Sequence, residues 1–160
     1  MTDTTVSTSK LRALKRFFRT PKGLLIVVLA ALIPLAAYGS GGLVVVPGVL
    51  AAATAAMLVD APILRLRDKA WSFPSGALLT GLLVAMVLSP HEPWHIAAVT
   101  AVVGVVSKYL VRGRSANVFN PAALALVATF YVFDTAQSWW GALPELPWPA
   151  IAALFATGLY

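Results

Sequence analysis

Apolar residues are gathered into five runs, at about 23–38, 43–59, 74–90, 95–111 and 121–133, and a sixth opens near Pro149. Short polar segments separate them. Each run is below the roughly 20 residues of a simple membrane span. Pro34 and Pro47 lie inside runs, whereas Pro74 and Pro121 lie at starts. Runs interrupted by Gly and Pro predict short, broken or tilted helices in a larger bundle, since irregular backbone at membrane depth must be buried in protein or line a cavity. The expected fold is therefore all-α: a polytopic membrane bundle of about five to six short or broken transmembrane helices over residues 23–160, behind a basic tail at 1–22. Only eleven residues follow from Ala150. At about 1.5 Å per residue they cannot cross a hydrocarbon core of about 30 Å, so the sixth helix is expected to be incomplete or to end against a partner.

Composition agrees with that pattern. The chain has 160 residues, of which 59% are hydrophobic and 11% charged, with a mean hydropathy of +0.84; soluble domains carry about 25% charged residues. The net charge of +6 could suggest nucleic acid. The twelve Lys and Arg residues are, however, confined to three segments between apolar runs, a pattern of membrane topology rather than nucleic-acid binding. With the N-terminus cytoplasmic, the loops carrying Arg65, Arg67 and Lys69 and then Lys108, Arg112 and Arg114 share its side. The expected location is the bacterial cytoplasmic (inner) membrane, multi-pass. Residues 1–9 read as a disordered tail. The six cations from Lys10 to Lys22, with Leu11, Leu14, Phe17 and Phe18 interleaved, suit either an interfacial helix on anionic membrane lipid or a plain positive flank. The first run, though it resembles a signal sequence, is expected to be a retained helix. On the opposite side lie GSGG at 39–42, HEPW at 91–94 and the connection 134–149, whose Trp139, Trp140 and Trp148 suggest a segment lying along the interface. Without cysteine, the chain makes neither disulfides nor cysteine-ligated iron–sulfur or zinc sites.

Candidate chemistry is concentrated in two places. The segment KYLVRGRSANVFNPAAL, residues 108–124, sets cations and amides ahead of Asn120-Pro121, a good N-cap followed by a residue suited to the first helical position. Lys108, Arg112 and Asn117 with that helix start can hold a phosphate or carboxylate, and can equally form an ordinary loop. In WSFPSGALLTGLLVAMVLSP, residues 71–90, Ser75 and Thr80 are hydroxyls beside small residues, which also suit helix packing. His91 and His95, four apart with Glu92 between them, invite a metal reading; Pro93 opposes a helix through both imidazoles and favours a solvated loop. Asp60 and Asp134 fall at the ends of runs, so no ionisable residue is expected at mid-membrane. No nucleophile–base pair, P-loop or dinucleotide fingerprint occurs, and no catalytic or metal-ligating residue is assigned.

Together SGALLTGLLVAMVLSP, a following Trp, the Lys108 segment and NVFNPAAL resemble a family of membrane subunits that includes the D component of the Rnf electron-transport complex (RnfD) and the B component of the sodium-pumping NADH:quinone reductase. The resemblance covers about residues 60–133. It implies one inverted repeat of a bundle of about ten helices, similar to urea-transporter-like channels, and a subunit that holds flavin, FMN or riboflavin, beside other membrane subunits. It makes Ser75, Thr80, Lys108, Arg112, Asn117 and Asn120 candidate cofactor contacts. The family links FMN to a threonine in a Ser-Gly-Ala-Thr-like motif; here position 78 is Leu, and the linkage is not carried over to Thr80. The expected function is flavin positioning in ion-coupled or quinone-linked electron transfer. The alternatives are a cofactor-free accessory subunit and a half-size small-solute channel or transporter.

Overall fold

The computed structural model describes residues 18–39, 42–69, 71–111, 119–142, 147–149 and 152. Most of the sixth apolar run, the basic stretch before Phe18, and Arg112, Arg114, Ser115 and Asn117 lie outside the described residues. Within them the fold is an all-helical membrane bundle of five α-helices: α1 (Pro21–Gly39), α2 (Val45–Asp68), α3 (Ser75–Val87), α4 (Trp94–Leu110) and α5 (Pro121–Phe133). Helices α1 and α2 are long and apolar enough to cross a membrane. The 13-residue α3 and α5 extend only about 20 Å at 1.5 Å per residue, as expected for broken spans.

Helix α3 is the centre of the bundle, packed on all four other helices; α2 also packs on α4, and α5 on α4. Small residues allow this close packing. A Cβ on Gly81 would stand 2.6 Å from the Ala52 carbonyl oxygen, and one on Gly104 would stand 2.9 Å from Thr80 Cγ2 and 3.2 Å from the Pro121 carbonyl oxygen. Such backbone approach is how helices associate where lipid provides no hydrophobic driving force. Between α4 and α5 the Thr100 hydroxyl is 3.2 Å from that of Thr129, and each also bonds a carbonyl of its own helix.

Packing also gives the directions. Asp60 meets Lys108 and Gly48 faces Ala97, so α2 and α4 run in parallel; Thr129 meets Thr100 and Ala125 faces Gly104, so α5 runs antiparallel to α4. The described cations Arg19, Lys22, Arg65, Arg67, Lys69 and Lys108 consequently belong to one end of the bundle, while His91, Glu92, His95 and Asp134 belong to the other. This agrees with the charge count along the sequence.

Two details differ from the sequence expectation. The apolar run ending at 59 is only part of α2, which continues through Asp60 and Pro62 to Asp68 and ends at Lys69 in the left-handed conformation. The connection after Asp134 does not simply lie along the surface. It folds back on α3, with Ser89 N–H donating to Ala136 O and the Ser138 and Trp139 N–H groups donating to Val87 O. Trp140, only 2% exposed, is buried against Leu29 and Ala36 of α1 and Leu82 and Met86 of α3, and its indole N–H donates to Ala85 O at 2.8 Å. The last carbonyls of a helix need partners, and this segment supplies them. Trp139 and Trp148 remain exposed.

Candidate functional site: a buried acid–ammonium–phenol centre

On α2 the buried residues Ala52, Ala56 and Asp60 follow one another at i+4, so the carboxylate continues a stripe of small side chains that faces the bundle. On α4 the buried residues Ala97, Ala101 and Val105 lie on the face that Lys108 extends. These two inward faces meet. Lys108 Nζ donates to Asp60 Oδ1 at 2.9 Å, and Tyr109 OH donates to the same oxygen at 2.5 Å. Asp60 is 1% exposed, whereas the Lys108 side chain keeps 24%.

The arrangement is asymmetric. Oδ1 accepts two donors, while Oδ2 is buried and has no partner among the described residues. The Lys108 ammonium also lies 4.9 Å from the Tyr109 ring centre and close to the first turn of α3, where a Cβ on Gly76 would be 3.7 Å from it. The positive end of a helix beside an ammonium is unfavourable by itself, and the Asp60 charge offsets both. Within a membrane an ionisable side chain is expensive unless paired, and such residues mark ion and proton paths. Chemically, the centre is an acid paired with an ammonium, with one acceptor oxygen left open among the described residues.

From the sequence, Asp60 falls at the interfacial end of its run, and the structure adds that at this basic end of the bundle the residue is buried and paired. The i+4 phase from Ala52 through Ala56 to Asp60 is the signal that could have revealed it. The other half, the pairing with Lys108 across 48 positions, depends on α2 and α4 being neighbours.

A second feature is a groove of about 240 Å³ between α3 and α5, walled by Leu83, Val87, Ala122 and Leu126 and lined also by Asn120, Gln137 and Trp139. Asn120 has the expected role at its helix start: Oδ1 accepts the Ala122 N–H at 3.0 Å and Pro121 follows in the first helical position.

The family profile described as NQR2, RnfD, RnfE matches residues 16–153. The chain belongs to this family. Among its curated relatives, the D component of the ion-translocating oxidoreductase complex of Escherichia coli strain Crooks is 33% identical over 130 aligned residues, covering 76% of this chain and 36% of the relative. The component of the same name from Escherichia coli K12 is 34% identical with the same coverage. The chain thus spans 36% of the length of the curated relatives it matches. No solved structure matches it at a comparable level.

For this family member the candidate contacts that the structure describes do not form one cluster. Ser75 opens α3, next to the Gly76 backbone that Lys108 approaches. Thr80 lies in the packed seam: its hydroxyl donates to Gly76 O at 3.0 Å and its methyl faces Gly104. Asn120 belongs to the α3–α5 groove. Arg112 and Asn117 lie outside the described residues. His95 is in the first turn of α4, edge-on to Trp94 at 5.7 Å, and no group of three potential metal ligands occurs among the described residues.

Proposed function

We propose that this chain is a membrane subunit, or part of one, of an ion-translocating oxidoreductase complex in the bacterial cytoplasmic membrane, with its N-terminus in the cytoplasm. The observation that carries the reading is the Asp60–Lys108–Tyr109 centre, a buried carboxylate with one oxygen unpaired among the described residues, inside a family-matched bundle. In that role Lys108 balances the acid, Tyr109 orients it, and Oδ2 is the acceptor available to a translocated cation or a proton donor. The one-sided distribution of cations supports the orientation.

Positioning of a flavin, FMN or riboflavin, is the finer part of the proposal. When bound, the flavin supplies the one- and two-electron chemistry. The α3–α5 groove suits non-covalent holding: its apolar walls accept one face of a flat heteroaromatic ring, and Asn120, Gln137 and Trp139 offer polar groups at its edge. With Asn120 Oδ1 occupied by Ala122 N–H, its amide NH2 is the group left for a ligand carbonyl. At about 240 Å³ the groove is smaller than the roughly 300–1,000 Å³ of an enclosing ligand site. Another membrane subunit would cover the ring's second face. Thr80 does not suit a phosphoester, because its hydroxyl is turned back onto Gly76 O within the seam.

The test combines visible absorbance with intact mass on the purified chain and its copurifying partners. The expected result is flavin colour lost on acid precipitation, with no flavin adduct on this chain, and weaker colour in Asn120→Ala. The buried Thr80 hydroxyl favours a second reading, the cofactor-free accessory subunit, which predicts a colourless chain that still copurifies with redox partners. Solute flux in proteoliposomes without an electron donor would support the channel instead.

A further inference from the structure

We propose that the corner formed by the end of α2 and the entry to α3, centred on Arg65 and Trp71, binds the phosphate headgroup of an anionic phospholipid. Helix α2 has 24 residues and extends about 36 Å at 1.5 Å per residue, beyond a hydrocarbon core of about 30 Å. Its last turn therefore reaches the headgroup layer. From Arg65 to Lys69 this turn carries three cations and one anion, a net +2 on five exposed residues. The left-handed Lys69 ends the helix, and the chain returns with Trp71 under Arg65, the guanidinium carbon 4.4 Å from the indole centre.

A guanidinium over an indole keeps N–H donors free for a phosphate diester, and the ring holds the cation in place. Arg67 is only loosely engaged: its Nε is 3.8 Å from Asp68 Oδ1, with both side chains about half exposed. Such a pair contributes little and yields readily to a phosphate. Apolar surface adjoins the cations, since Leu66 is 82% exposed and Trp71 72%. Charged fork and apolar flank together match a headgroup with attached acyl chains better than a free anion. Lys108, committed to Asp60, is not needed.

The experiment is native mass spectrometry of the full chain in detergent, titrated with phosphatidylglycerol or with phosphatidylcholine of identical acyl chains. Phosphatidylglycerol is expected to be retained preferentially, and Arg65→Gln to lower that retention by about fivefold, the effect of one basic residue near a membrane surface. Trp71→Leu, which keeps the charge and removes the stacking, is expected to weaken it to a smaller degree. Lys22→Gln makes the same charge change on α1 and is expected to leave retention intact. Equal retention of the two lipids would overturn the proposal, as would an equal loss in Lys22→Gln, which would mean bulk attraction. Displacement of phosphatidylglycerol by inorganic phosphate, beyond chloride at equal ionic strength, would reassign the corner to a free anion. Helicity measured on each variant separates loss of the site from loss of the fold, and unchanged binding in folded Arg65→Gln also overturns the proposal.

Discussion

The two ends of the bundle handle buried polarity in opposite ways. At the far end, the carbonyls that α3 leaves open are taken by the returning chain: Val87 O accepts from Ser138 and Trp139, Ala85 O from the Trp140 indole, and the Glu92 carboxylate accepts the Ala136 N–H at 2.7 Å. That end is closed. At the basic end, Asp60 is buried with one oxygen accepting two hydrogen bonds and the other bare among the described residues. Leaving a buried acceptor unpaired costs about 1–3 kcal/mol, and more when it is charged, so the contrast separates an end that serves stability from one that serves charge. The difference teaches that neither depth nor a buried atom unpaired among the described residues marks function here, since the Thr135 hydroxyl has both; an unpaired oxygen on an acid beside its counter-charge does.

The largest effect is expected from removing the cation. Lys108→Met leaves the Asp60 carboxylate buried without its counter-charge, a change that costs about 3–5 kcal/mol when a buried pair is broken from one side. Asp60→Asn leaves instead an ammonium that is already partly exposed and can turn toward water, so its cost is expected to be smaller. The double variant Asp60→Asn/Lys108→Met should recover stability relative to Lys108→Met alone. Unfolding of the four proteins in detergent, arranged as a double-mutant cycle, checks this. Equal costs for the two single changes would remove the asymmetry on which the comparison rests.

A smaller effect is expected midway between the ends, where the helices cross. Gly81→Ala would set a methyl 2.6 Å from Ala52 O and 2.9 Å from Ala53 Cα, both backbone atoms of α2 that cannot turn aside. Overpacking of this kind costs about 1–3 kcal/mol. Gly48→Ala is the matched control, as its methyl would meet only Ala97 Cβ at an ordinary 3.9 Å. If thermal unfolding finds both changes neutral, α2 and α3 are not held at this distance, and the placement of Asp60 beside Lys108 loses its frame.

Helix starts are the most legible feature of the sequence. Asn120-Pro121 marks the start of α5 to the residue because capping is local chemistry, with the donor two positions from the acceptor. The end of α2 is not legible, since charged residues and Pro62 resemble a loop unless the helix is known to run past the membrane core. The same limit hides the candidate site. Asp60 on its own is an acid at the edge of an apolar run, and only the parallel packing of α2 and α4 turns it into a buried partner of Lys108 and Tyr109. Thr80, attractive as a free hydroxyl beside glycine, is occupied by a bond within its own helix. Trp140 is comparable: its interfacial reading follows from two nearby tryptophans, and its burial depends on α1, about a hundred positions earlier.

Trp140 gives an effect no larger than that of Gly81→Ala, and the sharpest test of independence between the ends. Trp140→Phe keeps an aromatic ring against Leu29 and Met86 but removes the indole N–H, so Ala85 O loses a donor at 2.8 Å. Ala85 O belongs to the last turn of α3 and has no helical N–H beyond it, so the expected loss is that of one hydrogen bond, about 0.5–1.5 kcal/mol. The smaller ring adds a packing loss of the same order. Combined with Lys108→Met, the two costs should add within about 0.3–0.5 kcal/mol, because the sites share no partner and lie at opposite ends of α3. A larger coupling between them would mean that α3 transmits the state of the closed end to the Asp60 centre, and the ends would have to be treated as one device.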